Sequence, residues 1–242
     1  MRRAPIILLL AAAGASADVI YQTSDPYFGP NGPPAFTLTD EQAVALRFTP
    51  DRDYTLDTVR TWIISDNTVE VSHAPVRVQL REGDPLNQRP AGAPIEEMQF
   101  EVSTVGWNPV LESVQSRMHP LLRAGVSYWI VLACDLHSDA PGWCWSSAST
   151  GFISLSYGGQ INFNQGGQGA VTSTIIEGTP ACYANCDRST LPPILNINDF
   201  ACFMNAFAMG DRLANCDSST TAPILNANDF QCFLNAFAAG CL

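Results

Sequence analysis

Residues 184–210 read ANCDRSTLPPILNINDFACFMNAFAMG, and residues 214–240 read ANCDSSTTAPILNANDFQCFLNAFAAG. The two stretches form a tandem repeat with a period of 30 residues, and 20 of their 27 aligned positions are identical. Each copy is too small to bury an apolar face by itself, so the copies are expected to pack on one another. The repeat therefore predicts a small duplicated unit in the last quarter of the chain.

The second half of each copy is predicted to be an amphipathic helix. Asn198 or Asp199 in the first copy, and Asn228 or Asp229 in the second, occupy the position of a helix N-cap. A glycine ends each copy where a left-handed residue commonly closes a helix. Apolar residues at helical spacing define one face of each helix. These residues are Phe200, Phe203, Met204 and Phe207, then Phe230, Phe233, Leu234 and Phe237, and the glycines are Gly210 and Gly240.

Short side chains that carry oxygen alternate along the loop before each helix. Calcium takes about six to eight oxygen ligands from alternate positions of a loop, closed by a carboxylate at the start of the following helix. The pattern therefore predicts one calcium ion in each copy. The candidate side-chain ligands are Asn185, Asp187, Ser189, Asn196 and Asp199, then Asn215, Asp217, Ser219, Asn226 and Asp229.

This duplicated loop–helix pattern resembles a dockerin, a module by which secreted proteins bind cohesin-type receptors. The paired motif LNxNDFxCFxNAFAxG and the ending Gly240-Cys241 are most similar to the cysteine-containing variant found at the C-termini of surface-anchored bacterial proteins. The resemblance covers about residues 181–242. It implies a cohesin-like protein partner, and it adds the backbone carbonyls of Ile194 and Ile224 to the two ligand sets.

The loops also depart from the usual calcium loop in three ways. Each begins with Asn instead of Asp, has Thr190 or Thr220 where glycine is usual, and contains three additional residues. Two carboxylates per loop neutralise one calcium ion, which predicts weak affinity, on the order of 10⁻⁴–10⁻³ M. The alternative is a metal-free loop held by disulfides and by turn hydrogen bonds.

The eight cysteines divide into an upstream pair and a group of six. Their spacing does not suit zinc, and an N-terminal pattern typical of a secretory signal peptide, described next, favours disulfides. Six cysteines allow about 15 pairings. The symmetry of the repeat favours loop–helix bonds, within or between copies, and Cys182 and Cys241 are expected to close the unit as a clasp. Cys134 and Cys144 are predicted to staple a hairpin, and the remaining four cysteines are Cys186, Cys202, Cys216 and Cys232.

The N-terminal residues are typical of a secretory signal peptide. Two arginines precede the apolar run Ile6–Ala13, and an Ala-x-Ala site ends at Ala17. We therefore expect a signal peptide at residues 1–17 and a mature protein that is secreted to the extracellular space or cell surface. No stretch is long enough to predict a membrane span. The net charge of −11, without basic clusters, argues against a nucleic-acid partner.

Residues 18–178 are predicted to form a β-sandwich of jelly-roll type, so that the chain is mainly β, and residues 179–242 hold the helical repeat. The glycine-rich residues 158–169 are interpreted as a loop or linker. Residues 124–132, AGVSYWIVL, resemble a strand of the secreted jelly-roll domains called choice-of-anchor domains, a family that implies no general chemistry. Turn signals separate eight predicted strands: 43–49, 55–64, 76–82, 95–103, 110–115, 127–134, 151–157 and 170–176.

The β-domain offers two alternative functions. Trp143 and Trp145 would share one face of an extended strand, where they could form a platform for the sugar rings of a polysaccharide, although a core position is the plainer interpretation. A glycan-active hydrolase needs two carboxylates across one bond, and the adjacent Glu96 and Glu97 would face opposite sides of a strand. Residues 135–139, DLHSD, are interpreted as a polar hairpin tip in preference to a metal site. No catalytic residue is assigned.

Overall fold

The computed structural model describes residues 17–29, 32–84, 88–159, 163–187, 189, 193–217 and 219–241. The predicted signal peptide, except for Ala17, lies outside these residues, as do Thr190, Leu191 and Pro192 of the first loop. The described chain divides into two compact units, residues 17–180 and residues 181–241. The sequence-based boundary was placed at residue 178, but the last strand continues to Pro180. None of the described helices is long and apolar enough to cross a membrane.

The first unit, called the β-domain below, consists of strands. The prediction of a mainly β chain with a small helical C-terminal part is confirmed. The strands are β1 (Asp18–Gln22), β2 (Ala35–Thr37), β3 (Val44–Phe48), β4 (Tyr54–Ser65), β5 (Pro75–Asp84), β6 (Arg89–Glu101), β7 (Val110–Gln115), β8 (Leu121–Leu122), β9 (Tyr128–Cys134), β10 (Pro141–Ser156), β11 (Phe163–Thr172) and β12 (Thr174–Pro180).

The strands pair antiparallel in a sandwich-like arrangement that turns through β10. The beginning of β10, at Pro141–Cys144, pairs with β2 and β4, and β4 also pairs with β7, β8 and β12, which carries β1 at its edge. The end of β10, around Ile153–Leu155, pairs with β11 and β3, and the ladder continues from β3 through β9 and β5 to β6. One long strand therefore belongs to both hydrogen-bonded layers.

The core of the β-domain lies between these layers. Side chains of successive strand residues alternate between the two faces of a layer, so every second residue of a strand can point towards the other layer. Leu56 and Ile63 of β4, Leu46 of β3 and Ile130 of β9 all belong to one buried cluster. Strand β9 is buried along its whole length, since Trp129, Val131 and Ala133 join a second cluster on its opposite face. This explains why its sequence is a continuous apolar run instead of an alternating one.

Seven of the eight predicted strands each correspond to one strand, and the eighth, 170–176, covers the end of β11 and the start of β12. The alternation signal missed three short strands and misread one segment. Strands β1, β2 and β8 contain five residues or fewer, too few to show a period of two. The glycine-rich stretch interpreted as a loop includes residues 163–169 of β11. That strand is held by backbone pairing with β10, for example Gly151 with Gly169, and backbone pairing needs no apolar side chains.

The predicted bond between Cys134 and Cys144 is wrong, because both are thiols. Cys134 lies on β9 opposite Val76 of β5, whereas Cys144 lies on β10 opposite Ala35 of β2. Cys134 points into the main core together with Trp143. Since Cys144 follows Trp143 directly on a strand, its side chain points to the opposite face. The two residues therefore flank a connection without facing each other.

The second unit, called the tail module below, contains two helices. Helix α1 spans Ile197–Met209 and helix α2 spans Ala227–Ala239, with a short 3₁₀ turn at Arg212–Ala214 between them. Each helix follows one of the oxygen-bearing loops. The equal lengths of the helices and their equivalent positions in the repeat confirm the predicted loop–helix organisation of each copy.

Candidate metal centre

The two helices meet through phenylalanines from equivalent positions of the repeat. Phe203 and Phe233 are almost fully buried, and their rings stack with centroids 4.3 Å apart and planes inclined by 14°. Phe200 and Phe230 meet edge to face at 5.8 Å beside them. Burying one ring against its counterpart removes apolar area that neither copy could hide alone. This contact orients the two loops, since each loop leads directly into one of these helices.

The helix starts differ from the sequence-based assignment. The N-caps are Asn196 and Asn226, whose side-chain oxygens accept hydrogen bonds from the backbone N–H groups of Asn198 and Asn228 at 2.8 Å. The candidates for the cap were Asn198 or Asp199 and Asn228 or Asp229, but all four lie inside the first turn. The helices begin earlier than the apolar pattern suggested because a capping box can satisfy the free N–H groups of the first turn.

The helix ends are similar but not identical. Gly210 adopts the predicted left-handed conformation, with φ 70° and ψ 23°. Gly240 also has a positive φ, of 82°, but its ψ is 170°. The next residue, Cys241, is bonded to Cys182, so the chain extends after α2 instead of turning into a second 3₁₀ segment.

Three disulfides hold the tail module. Cys186 is bonded to Cys202 and Cys216 to Cys232, so the loop–helix pairs lie within each copy and not between copies. Cys182 and Cys241 close the unit across 59 residues, which confirms the predicted clasp. In each copy the bonded loop cysteine lies directly between two candidate ligands, and its partner lies one turn into the helix. The disulfides therefore fix the loop against the first turn of its helix.

A buried carboxylate lies at the base of each loop. Asp199 and Asp229 are 0% exposed. One oxygen of each accepts the N–H of the N-cap residue at 2.8 Å, and the other accepts the N–H of Asp187 at 3.2 Å or of Asp217 at 3.3 Å. The ion pairs formed by the described residues do not include either aspartate. A buried negative charge is costly without a compensating positive charge, which is the first reason to expect a cation here.

An amide oxygen without a hydrogen-bond partner lies in each loop. The nitrogen Nδ2 of Asn185 donates to the Ser189 carbonyl at 3.0 Å, and Asn215 donates in the same way to Ser219. These bonds orient the amides, because reversing either one would bring two oxygens together. The remaining oxygens, Asn185 Oδ1 and Asn215 Oδ1, are buried and unpaired among the described residues. A buried acceptor without a donor is rare, and a cation ligand is one of the few roles that explain it.

The second candidate ligand of each loop, Asp187 or Asp217, is an exposed carboxylate. Oδ1 of Asp187 accepts the N–H of Ser189 at 2.9 Å, and Asp217 accepts the N–H of Ser219 at the same distance. The backbone hydrogen bond from Ser219 lowers the pKa of Asp217 below its ordinary value, with smaller help from the Ser219 and Asp229 side chains and some opposition from desolvation. The carboxylate form that a cation requires is therefore favoured.

Most of the remaining candidate ligands form hydrogen bonds within the tail module. The hydroxyl of Ser219 donates to the Ile224 carbonyl at 2.9 Å, which brings two candidate ligands of the second loop together. The capping oxygens of Asn196 and Asn226 each accept a helix N–H group. Their nitrogens donate to Pro193 and Pro223 at 3.2 Å. Ile194, at the position equivalent to Ile224, is 40% exposed.

Taken together, the oxygen atoms of each loop fit a hard cation, which accepts a mixture of carboxylate, amide, hydroxyl and carbonyl oxygens as ligands. Nowhere in the described ranges do three or more His, Cys, Asp or Glu side chains form a group that could hold a metal. Each loop supplies two carboxylates, so the other oxygens must come from amides, hydroxyls and carbonyls. The hydrogen bonds of the asparagine and aspartate ligands occur in both loops at nearly the same distances. The tail module therefore contains two equivalent candidate sites.

The burial of Trp143 excludes a platform formed by Trp143 and Trp145 and confirms the plainer interpretation, a core position, for Trp143. Trp143 is 0% exposed, belongs to the main core and donates through Nε1 to the Ser173 carbonyl at 3.4 Å. Trp145 is half-buried and packs against Phe36 with ring centroids 5.1 Å apart. The shared face that brings both indoles together is the inner face of the sheet, so neither presents a free ring.

The acidic residues singled out in the β-domain, Glu96, Glu97 and Asp135, bond to different partners. Glu96 is buried and accepts the Ser116 hydroxyl at 2.6 Å together with the N–H groups of Arg117 and Met118, which makes it a support for that turn. Glu97 is exposed and accepts a hydrogen bond from Gln79. In the hairpin tip, Asp135 forms an ion pair with Arg77, whereas His137 lies within hydrogen-bond distance of Asp40. Asp135 and His137 therefore contact different residues.

Comparison with known proteins adds no family to this description. No protein-family model matches the chain, and no curated protein sequence is significantly similar to it. The function is therefore argued from the residues and contacts of the chain itself.

Proposed function

We propose that residues 181–242 form a dockerin-like docking module, organised by two calcium ions, that attaches the β-domain to a cohesin-like protein receptor outside the cell. The observation that carries this proposal is the pair of equivalent, buried and unpaired amide oxygens of Asn185 and Asn215. The same arrangement occurs twice, each time within a loop that also holds a buried aspartate. A single orphaned acceptor could be accidental, but an exact repetition supports a shared ligand.

The exposed surface of helix α1 supports a protein partner. Its exposed apolar residues include Ile197, 74% exposed, and Met204, 41% exposed, which lie seven positions apart and so on one face. They flank the phenylalanine face, where Phe200, Phe203 and Phe207 pack against α2, so Met204 was predicted for that face but lies at its exposed edge. An amphipathic helix that keeps apolar residues in water commonly places them against a protein partner.

The three disulfides support a location outside the cytoplasm. Disulfides form and persist in oxidising compartments, and a small unit with three of them is typical of secreted proteins. The signal-peptide pattern of residues 1–17 points the same way. We therefore assign the module to the extracellular space or the cell surface.

Calcium binding is tested by calorimetric titration of the whole chain, with thermal melts in calcium and in chelator as a second readout. We expect a dissociation constant on the order of 10⁻⁴–10⁻³ M for the two loops. The double variant Asn185→Ala and Asn215→Ala should abolish the heat of binding and the stabilisation by calcium. Asn205→Ala is the matched control, because Asn205 is exposed on α1 outside the loop.

A gain-of-function variant separates a true site from a loop that has lost its metal. Asn185→Asp with Asn215→Asp restores the usual first ligand and adds one negative charge to each loop. We expect calcium affinity to rise at least about tenfold, and stability in chelator to fall because the new carboxylate faces the Ser189 or Ser219 carbonyl. No heat and no melting shift at millimolar calcium in either protein would leave the metal-free, disulfide-held loop as the correct account.

The docking step is tested separately by capture of a cohesin-like domain with the whole chain. Met204→Glu places a charge on the exposed face of α1 and should abolish capture without changing calcium binding. Asn205→Glu, which adds the same charge at the next position of the helix, is the control. If Met204→Glu captures the receptor as well as the unmodified chain does, α1 is not the docking face.

A further inference from the structure

Among the exposed aromatic side chains of the described β-domain, Tyr27 and Trp107 each lie beside a glycine backbone. Tyr27 is 50% exposed and Trp107 is 55% exposed. Both belong to connections between strands and not to strands themselves. Large aromatic side chains that keep half of their surface in water are a common feature of ligand-binding surfaces.

The backbone beneath the rings consists of two paired glycines. Gly29 and Gly32 form a β-bridge, with the Gly32 N–H donating to the Gly29 carbonyl at 3.1 Å. A Cβ atom at Gly29 would come within 3.1 Å of Tyr27 Cε1, and a Cβ atom at Gly32 within 3.1 Å of Trp107 Cε3. Because glycine has no side chain, Tyr27 can lie close to the backbone of Gly29 and Trp107 close to that of Gly32. About half of each aromatic side chain stays in water.

Backbone hydrogen bonds hold each ring's residue in place. The N–H of Tyr27 donates to the Trp145 carbonyl at 3.1 Å, which ties this connection to β10. Trp107 follows Gly106, whose N–H donates to Asn67 at 2.6 Å and whose carbonyl accepts the N–H of Ser65 at 2.9 Å. The backbone of Tyr27 and the backbone next to Trp107 are therefore tied to neighbouring segments, which limits the entropy that these connections lose on binding a ligand.

The surroundings indicate a neutral, polar ligand with flat apolar faces. Asn108, next to Trp107, donates from its amide nitrogen to the Val105 carbonyl at 2.9 Å, which leaves its exposed amide oxygen as an acceptor for a hydroxyl group. The chain carries 23 acidic and 12 basic residues, so polyanionic ligands are repelled. A pyranose ring combines a flat C–H face with hydroxyl groups at its edge and meets both requirements.

We propose that Tyr27 and Trp107, together called the aromatic platform, bind the sugar rings of a neutral polysaccharide by stacking. This site lies in the β-domain and is independent of calcium and of the tail module. It gives the protein a second binding activity, so that the chain would connect a glycan to the receptor of its tail module. The rings that bind sugar are thus on connections between strands, and not the indoles of Trp143 and Trp145 on β10.

The test uses the whole chain, in chelator, titrated with cellohexaose, xylohexaose, mannohexaose and chitohexaose, with tryptophan fluorescence and calorimetry as readouts. We expect at least one of these neutral oligosaccharides to bind. Trp107→Leu, which keeps an apolar side chain but removes the ring, should weaken binding by at least about tenfold. Trp107→Phe, which keeps an aromatic face, should retain most of the affinity.

The matched control compares two exposed tyrosines. Tyr27→Leu should weaken binding, whereas Tyr157→Leu should not, since Tyr157 is 44% exposed but follows the far end of β10. Melting temperatures of all variants show whether a loss of binding is a loss of fold. Binding by none of the four sugars, or equal binding by the chain and by Trp107→Leu, would overturn the proposal.

Self-association is the competing use of an exposed aromatic surface, and sedimentation decides between the two. We expect the chain and Trp107→Leu to have the same molecular mass in solution. A dimer that Trp107→Leu converts to a monomer would assign the aromatic platform to a second copy of the chain and would also overturn the proposal.

Discussion

The β-domain and the tail module solve the same problem of stability in opposite ways. The β-domain encloses two apolar clusters, with the fully buried Trp143 in the main one and the fully buried Trp129 in the second, and its two cysteines are buried thiols. The tail module has a small cluster centred on Phe203 and Phe233 and is held by three disulfides. The same residue type therefore acts as an apolar side chain in one unit and as a covalent tie in the other.

The difference follows from the ratio of surface to volume. A unit of the β-domain's size buries about two thirds of the surface that its unfolded chain exposes, whereas a unit of about 60 residues buries less and is marginal without further ties. Disulfides stabilise such a unit by reducing the entropy of its unfolded chain. Buried thiols contribute little beyond packing, which suffices where the core is large.

The largest expected effect is the selective unfolding of the tail module by reductant. The two disulfides that span 16 residues each contribute about 3 kcal/mol, and the one that spans 59 residues contributes about 4 kcal/mol. We expect dithiothreitol in chelator to remove the helical circular dichroism at 222 nm. The β-domain should keep its thermal transition, because it contains no disulfide. Retention of the helices after full reduction would show that the phenylalanine contact alone sustains the module.

A smaller but still large effect is expected from shortening a core tryptophan of the β-domain. Trp143→Ala removes a fully buried indole and its hydrogen bond to Ser173, and should lower the free energy of unfolding by about 3–5 kcal/mol. Trp107→Ala, the same change at a half-exposed position, should cost about 1 kcal/mol or less. Denaturant titration measures both. Equal costs would contradict the assignment of Trp143 to the core.

The smallest effect concerns the buried thiols at alkaline pH. Burial raises the pKa of the Cys144 thiol to about 12, and it raises the pKa of Cys134 as well. Between pH 9 and about 12 the unfolded thiol loses its proton while the folded one keeps it, so this contribution to stability is complete below pH 9 and is lost as the pH rises.

Urea unfolding of the chain and of Cys144→Ala at pH 8, 9 and 10 measures this loss. The unmodified chain should lose about 1 kcal/mol more than the variant between pH 9 and pH 10. Ser146→Ala, a change at a nearby buried position of β10 that does not titrate, should keep the slope of the unmodified chain. Parallel slopes for all three proteins would mean that the Cys144 thiol is accessible to solvent in the folded state.

The amino-acid sequence by itself determined the organisation of the tail module. A period of 30 residues with 20 identities in 27 positions predicts two equal units, and the phenylalanine spacing predicts the face on which they meet. The clasp between Cys182 and Cys241 followed because these are the only cysteines of the module without a counterpart in the other copy. Such features are local or repeated, so they can be recognised without knowing what lies across the fold.

Only the tertiary structure decided which face of each element is buried and which partner it meets. A period of two placed Trp143 and Trp145 on one face, but only the position of β10 between its neighbouring strands shows that this face is the core. The same holds for Cys134 and Cys144, which are close in sequence and lie on strands of different layers. Burial and pairing depend on residues distant in the chain, and the alternation of one strand carries no information about them.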